Sequence, residues 1–311
     1  MSTLQNTSSS SIIFLLTGVP GLEAYHTWIS IPFCLLYTTA LSGNSLILFA
    51  IITQPSLHEP MYYFLSMLST ADLGLSISTL ATMLGIFWFN AREISFNACL
   101  SQMFFIQLFT VMESSVLLAM AFDRYVAISN PLRYATVLTD LKVVAIGAAM
   151  VARGTLIQTP LAVLLKRLSF CSSHVLRHSY CFHPDVMKLS CTDTRVNSAL
   201  GLTALISTAG VDSVFILLSY VLIIHSVLCT AFRERWEKVL GAFISHLRAA
   251  AILYNCNTSL SLVQRFGKHD APILYIFICH IHLVSSIGSI MNPVIFNSNI
   301  HTLKKAYFTE T

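Results

Sequence analysis

Charge is what this chain has least of. Of its 311 residues, 18 are Lys or Arg and 14 are Asp or Glu, 10% in all, where a soluble domain carries about 25%. So few ionised groups do not clothe a water-facing globule of this size, which excludes an ordinary soluble enzyme. An apolar share of 55% excludes a disordered chain more firmly. The net charge of +4 is scattered, without the basic stripe of a nucleic-acid binder, so no nucleic acid is expected as a partner. The sequence shows no nucleophile–base constellation, phosphate loop or metal motif, and no enzymatic activity is expected. Met1 to Ser11 is polar and lacks a basic stretch followed by a long apolar run, so no cleavable signal peptide is expected.

What the chain has in abundance is apolar length. The mean hydropathy is +0.71, and a helix needs roughly 20 apolar residues to cross a bilayer. Seven stretches meet that need: Trp28–Ile52, Met61–Phe87, Ala98–Ile128, Val143–Leu165, Ser198–Leu228, Val239–Val263 and Pro272–Phe296. The expected architecture is an all-α membrane protein, a seven-helix bundle over residues 28–297, with a tail at 1–27 and a terminal segment at 298–311. In that last segment Ile300, Leu303, Tyr307 and Phe308 share a helical face beside Lys304 and Lys305, as in a helix lying on membrane lipid. An odd number of spans puts the termini on opposite sides. Arg133, Lys142, Arg233, Arg235, Lys238, Lys304 and Lys305 fall in loops of one side, and only Arg92, Arg265 and Lys268 in the short loops of the other, which favours an outside N-terminus under the positive-inside rule. Lys166, Arg167, Arg177, Lys188 and Arg195 in the one long loop offset that count, and the cysteines of that loop decide for an outside N-terminus, in the plasma membrane. Asn6-Thr7-Ser8 is then a glycosylation sequon in an extracellular tail. A second sequon at Asn257 lies inside an apolar segment and is read as helix.

One linker, from Lys166 to Asn197, is long, and it holds Cys171, Cys181 and Cys191. Cys99 opens the third span on the same side. Four cysteines facing an oxidising compartment allow three pairings. The spacing does not suit zinc, and the remaining cysteines read as small packing residues.

Carboxylates at membrane depth are costly and usually functional. Asp72 lies 12 residues after Pro60 and Glu113 lies 11 before Arg124, so each sits roughly 17 Å from the cytoplasmic end at 1.5 Å per residue. Sharing one depth, they are protonated, share one proton, or bind a small cation such as sodium, with Asn44 and Asn292 as neutral ligands. Asp123-Arg124-Tyr125 closes the third span, with Arg124 expected at the cytoplasmic mouth beside Asp123. Arg153 and Asp212 are also intramembrane, and spacing assigns neither of them beyond hydrogen bonding inside the bundle.

Read together, these residues resemble the rhodopsin-like G-protein-coupled receptors and, among them, the odorant receptors. The motifs run in order: Gly43-Asn44, Pro60-Met-Tyr-Tyr-Phe-Leu65, Ala71-Asp72-Leu73, Met120 through Ile128, Pro131-Leu-Arg-Tyr134, Ser219-Tyr220, Lys238, Ser245-His246 and Asn292-Pro293. Phe14 through Leu22, Arg265-Phe-Gly-Lys-His269 and Met291-Asn-Pro293 are similar to the class I, fish-like branch. The resemblance implies a receptor for a small odorant, acid or oxygenated aliphatic, that activates a stimulatory heterotrimeric G protein. It implies a sodium site at Asp72 and Glu113, G-protein coupling through Asp123, Arg124, Tyr125 and Tyr220, and a switch at Asn292 and Pro293. The pairing preferred among the three, Cys99–Cys181 with Cys171–Cys191 closing the loop around it, includes the family's anchoring disulfide. The pocket is expected between spans three, five and six, with Gln107, His183, Ser261, Arg265 and Tyr254 reaching the ligand and Phe104, Leu108 and Ile206 as apolar walls. Arg265 would grip a carboxylate with two hydrogen bonds.

The sequence departs from the pattern late. Leu253-Tyr-Asn-Cys256 lacks the sixth helix's proline, Lys238 through His246 is altered, and Phe296 replaces a tyrosine. These departures motivate a second reading, a degenerate receptor that signals weakly. A third is a proton- or sodium-coupled transporter, although the seven spans show no inverted repeat.

Overall fold

Each of the first five apolar runs becomes helical, the fifth as two α-helices in succession with a π-helical turn between them. The computed structural model describes residues 12–18, 26–129, 133–171, 174–176 and 178–229, followed by 250–251, 254–255, 258–259 and 261–262, which are helical. The elements are β1 (Ile13–Leu16), α1 (His26–Thr53), a single 3-10 turn at Pro55–Leu57, α2 (Pro60–Phe89), β2 (Glu93–Ser95), α3 (Phe96–Ser129), α4 (Tyr134–Val137), α5 (Asp140–Lys166), β3 (Val175–Leu176), α6 (His183–Lys188), α7 (Arg195–Leu205), a π-helical turn (Ile206–Gly210) and α8 (Val211–Cys229). Five helical segments among the described residues are long and apolar enough to cross a membrane: Thr27–Thr53, Pro60–Phe89, Phe96–Ser129, Asp140–Lys166 and Arg195–Ser226. They coincide with the first five expected spans and extend them by a few residues. Most of the sixth span, all of the seventh and the terminal amphipathic segment lie outside the described residues.

The helices turn apolar side chains outward as well as inward. Ile52 and Leu156 are each 75% exposed and Leu46 is 69% exposed, which suits lipid on the outer face of the bundle and not water. α3 is the central helix: 56% of its most apolar stretch is buried, against 22% in α1. Local chemistry fixes the ends. Pro60 opens α2, where its missing N–H costs nothing. Asn90 closes α2 in the left-handed region at φ 49°, and the Ala91 N–H turns back to the Gly85 carbonyl at 2.9 Å. Asp140 in the first turn of α5 and Lys166 in its last complement the helix dipole. Close approach of α5 to α3 depends on Gly154, where a Cβ would stand 2.6 Å from Leu108 Cδ1.

One end of the bundle carries a small sheet. β1 lies between β2, antiparallel to it, and β3, parallel to it. Residues 13–16, within the expected tail at 1–27, are thus paired into this sheet. The strand alternates: Phe14 and Leu16 are buried, and Ile13 and Leu15 are exposed. That period of two buries one face of the strand against the helices. The Phe14 ring meets Phe170 edge-on at 5.5 Å and packs with Phe96 at 6.1 Å. Both disulfides form at this end, Cys99–Cys181 and Cys171–Cys191. Cys99 and Cys181 are buried in the same cluster as Phe14, Leu16, Phe33 and Tyr37.

Candidate functional site

Beneath the disulfide end lies a cavity of about 80 Å³. α3 supplies Met103, Phe104, Gln107, Thr110, Val111 and Ser114 to its wall. The helix α5 adds Gln158, Leu161 and Ala162, and α7 with the π-helical turn adds Gly201, Ala204, Leu205, Thr208 and Ala209. Phe182, His183 and Pro184 close it from the long loop, and Tyr254 and Ser261 come from the later half of the sixth span. Four of the five expected ligand residues are thus brought together: Gln107, His183, Ser261 and Tyr254. The fifth, Arg265, lies outside the described residues.

Two expected apolar walls are corrected. Leu108 is buried against Gly154 and does not line the cavity. Ile206 points outward and is 59% exposed. Gly201, Leu205 and Thr208, at intervals of four and three, form the lining face of that span, and Ile206 lies about 100° round the helix from Leu205. The span-four wall was not foreseen at all. Gln158 in particular gives no distinct sequence signal, because Arg153, Thr155 and Thr159 lie close to it on other faces of the same helix.

The long loop is held over the cavity by more than its disulfide. Gln102 on α3 accepts the Cys181 N–H at 3.0 Å through its side-chain carbonyl. Its amide donates to the Ser78 carbonyl at 2.8 Å and to Thr82 Oγ1 at 2.9 Å on α2. The next turn of the loop is buried too: His178 Nε2 stands 2.5 Å from Asp185 Oδ2. His183, two residues before Asp185, is 5% exposed.

A polar chain forms the cavity floor. Arg153 on α5 and Asp212 on α8 form a two-point pair, Nη1 to Oδ2 and Nη2 to Oδ1, each at 3.0 Å. The guanidinium also donates to Ser115 Oγ and to the Ser207 carbonyl, both at 2.9 Å. Ser207 lies within the π-helical turn. Ser114 donates its one hydroxyl proton to Asp212 Oδ2 at 2.5 Å. Its contact with Tyr254 at 2.9 Å must then be donated by the phenol, because a hydroxyl has a single hydrogen to give. The chain runs from Tyr254 through Ser114 to Asp212 and meets Arg153 there. It joins helices from four spans and satisfies both charges that sequence spacing left unassigned.

Deeper in the bundle, Asp72 and Glu113 do share one layer. Asp72 lies beside both Glu113 and Asn44, and all three are buried. Two carboxyl groups in contact need a proton between them, since neither otherwise has a hydrogen to donate. Glu113 Oε1 is buried without a hydrogen-bond partner among the described residues. Asn292, the other expected neutral ligand, lies outside them.

At the far end, Asp123 does not hold Arg124 as expected. It accepts a hydrogen bond from the Tyr134 hydroxyl at 2.7 Å. Burial, and then the bond to Asp123, push the Tyr134 phenol above its ordinary range, so it stays a donor. The Arg124 guanidinium instead lies against the Met61 sulfur. The reason is geometric: neighbours in sequence splay apart on a helix. Tyr220 is buried with Leu117, Ala121, Ile216, Ile223 and Ala250, and Tyr125 packs against that cluster. Asn6, Pro293 and Asn292 lie outside the described residues.

The chain, a membrane bundle with a disulfide-bonded loop over a cavity and an Asp-Arg-Tyr triplet at the opposite end, matches the olfactory receptor family over residues 33–308. The chain belongs to the olfactory receptor family. Among curated relatives, human olfactory receptor OR51C1 is 65% identical over 301 residues, covering 97% of this chain and 96% of that one. Human olfactory receptor 51F2 is 54% identical, covering 98% and 89%, and human olfactory receptor 51I2 is 50% identical, covering 95% and 94%. The class I reading stands with them. The receptor is therefore a seven-helix membrane protein that takes an odorant and couples to a G protein, and it is not an enzyme.

Proposed function

We propose that this olfactory receptor sits in the plasma membrane with its disulfide end outside, takes a small acid or oxygenated aliphatic odorant into the cavity, and activates a stimulatory heterotrimeric G protein through the Arg124 end. The observation that carries the ligand reading is the cavity itself. It lies under the long loop, small, mostly apolar, and fitted with a few polar groups. Its volume of about 80 Å³ is roughly half that of a ~150 Å³ void that holds a benzene ring, so the ligand is short. Arg265, placed by sequence one turn beyond Ser261, would grip a carboxylate at the outer rim, with His183 beside it.

Arg265→Ala is expected to raise the half-maximal concentration of a short acid by roughly 10- to 100-fold, the value of a charge-assisted hydrogen bond. The matching alcohol should move much less. Arg265→Lys should recover part of the loss, because an ammonium lacks the flat two-point fork. Paired cyclic-AMP dose–response curves at matched surface level decide this. Equal shifts for acid and alcohol mean that Arg265 is a turn residue only.

Sodium fits the Asp72 layer by chemistry. Asp72 and Glu113 are oxygen donors, Asn44 is a neutral third, and Glu113 Oε1 is an orphan. When bound, the ion would supply the positive charge that the layer lacks and hold α2 to α3. Asp72→Asn and Glu113→Gln should each weaken the sodium dependence of signalling. The double change should add little to either one, as for groups that act as a unit. Fully additive losses would mean two separate sites.

A further inference from the structure

α5 buries one stripe, Met150, Gly154, Gln158, Leu161 and Leu165. The intervals of three and four residues make it a single helical face. Every member but one is apolar or glycine. The exception, Gln158, is 6% exposed and lines the cavity. Its amide makes no hydrogen bond among the described residues. The nearest strong polar group along the helix is Arg153, whose guanidinium is already committed to Asp212, Ser115 and the Ser207 carbonyl. From the facing helix α3, Gln107 lines the same cavity.

A packed apolar stripe has no use for a glutamine. Buried amides are normally paired, and leaving one unpaired is unfavourable. An amide is both donor and acceptor. It therefore matches a neutral oxygen that can accept, give, or do both: a hydroxyl or a keto group. A carboxylate needs a cation more than an amide, and a hydrocarbon tail offers nothing.

We propose that Gln158 is a specificity-determining residue that pairs with a second, uncharged oxygen on the ligand, so that this receptor prefers short aliphatics bearing two polar groups, such as hydroxy acids, oxo acids and diols, over their plain counterparts. The inference rests on the reading of the cavity as the odorant site and deepens it. One polar group of the ligand lies toward the outer rim, near His183 and Ser261. The second meets Gln158 on the side wall. The small cavity volume keeps the two groups a few carbons apart.

The test uses the full-length receptor on cells, a cyclic-AMP readout and two matched pairs: butanoic and 3-hydroxybutanoic acid, and 1-butanol and 1,3-butanediol. Wild type should respond to the hydroxylated member of at least one pair at roughly tenfold lower concentration, the value of one neutral hydrogen bond in a desolvated site. Gln158→Leu should erase or invert that preference, chiefly by weakening the hydroxylated ligand. Gln158→Met, of closer shape, serves if the leucine variant does not reach the surface. A wild type that responds to both members equally overturns the proposal, whatever the variants do. So does a Gln158→Leu variant that shifts both members by the same factor, which would make Gln158 a packing residue satisfied by water. A wild type at the surface that is silent to all four ligands overturns the ligand reading itself and this inference with it.

Discussion

Asp212→Leu is expected to strip the receptor from the cell surface, and adding Arg153→Leu is expected to bring much of it back. Asp212 is buried, and the Arg153 side chain is 30% exposed. Taking away the aspartate leaves a guanidinium at membrane depth with two neutral oxygens for company. Breaking a buried pair in this way costs about 3–5 kcal/mol, a large part of the roughly 5–15 kcal/mol by which a folded protein is stable. Replacing both partners by apolar side chains is often near neutral. Staining of an epitope-tagged receptor, normalised to total protein, reads the effect. A double variant no better than Asp212→Leu would show that Arg153 and Asp212 do not form a self-contained pair. The rescued double variant should still signal poorly, because the hydrogen-bond chain from Tyr254 through Ser114 would end on nothing.

Cys99→Ser and Cys181→Ser should each abolish surface staining, while Cys171→Ser and Cys191→Ser should retain a measurable fraction. The first bridge spans 82 residues and the second 20. In the loop-entropy account the longer bridge stabilises by about 1 kcal/mol more. Packing separates them further, since Cys99 and Cys181 lie in the buried cluster under the sheet. Gln102 still bonds the Cys181 N–H in such a variant, but one neutral hydrogen bond is worth about 1 kcal/mol and does not replace the bridge. Equal staining of all four variants would mean that the long loop is tethered by the sheet alone.

The helices were legible because membrane crossing needs length and apolarity, and both are written along the chain. Depth was legible too: counting from Pro60 and Arg124 put Asp72 and Glu113 in one layer, where they are found in contact. Direction around a helix was not legible. In a membrane helix whose few polar residues fall on several sides, no polar face reveals which side is inside, so Gln158 could not be told from a lipid-facing residue, and Leu108 was given a place in the wall although it packs against Gly154. Partner choice was equally hidden. Arg153 and Asp212 stand 59 residues apart, and nothing local ties them. Ile206 was given a place in the wall, yet the lining face of its span runs through Gly201, Leu205 and Thr208 beside it. β1 escaped notice because four alternating residues next to a Ser-rich stretch look like tail until their two neighbouring strands are seen.

That strand sets a clock on biosynthesis. β1 emerges early from the ribosome, yet β3 and the carbonyl that receives Thr17 Oγ1 lie far downstream, the latter 159 residues later. At about 5–20 residues per second the wait is on the order of ten seconds. Throughout it, Phe14 and Leu16 stand uncovered on a strand with unpaired edges, the kind of surface that invites aggregation and chaperone binding. Only when four helices are inserted and the long loop has crossed the membrane can the strand be sealed. The segment that begins the fold is thus also the one that reports its completion.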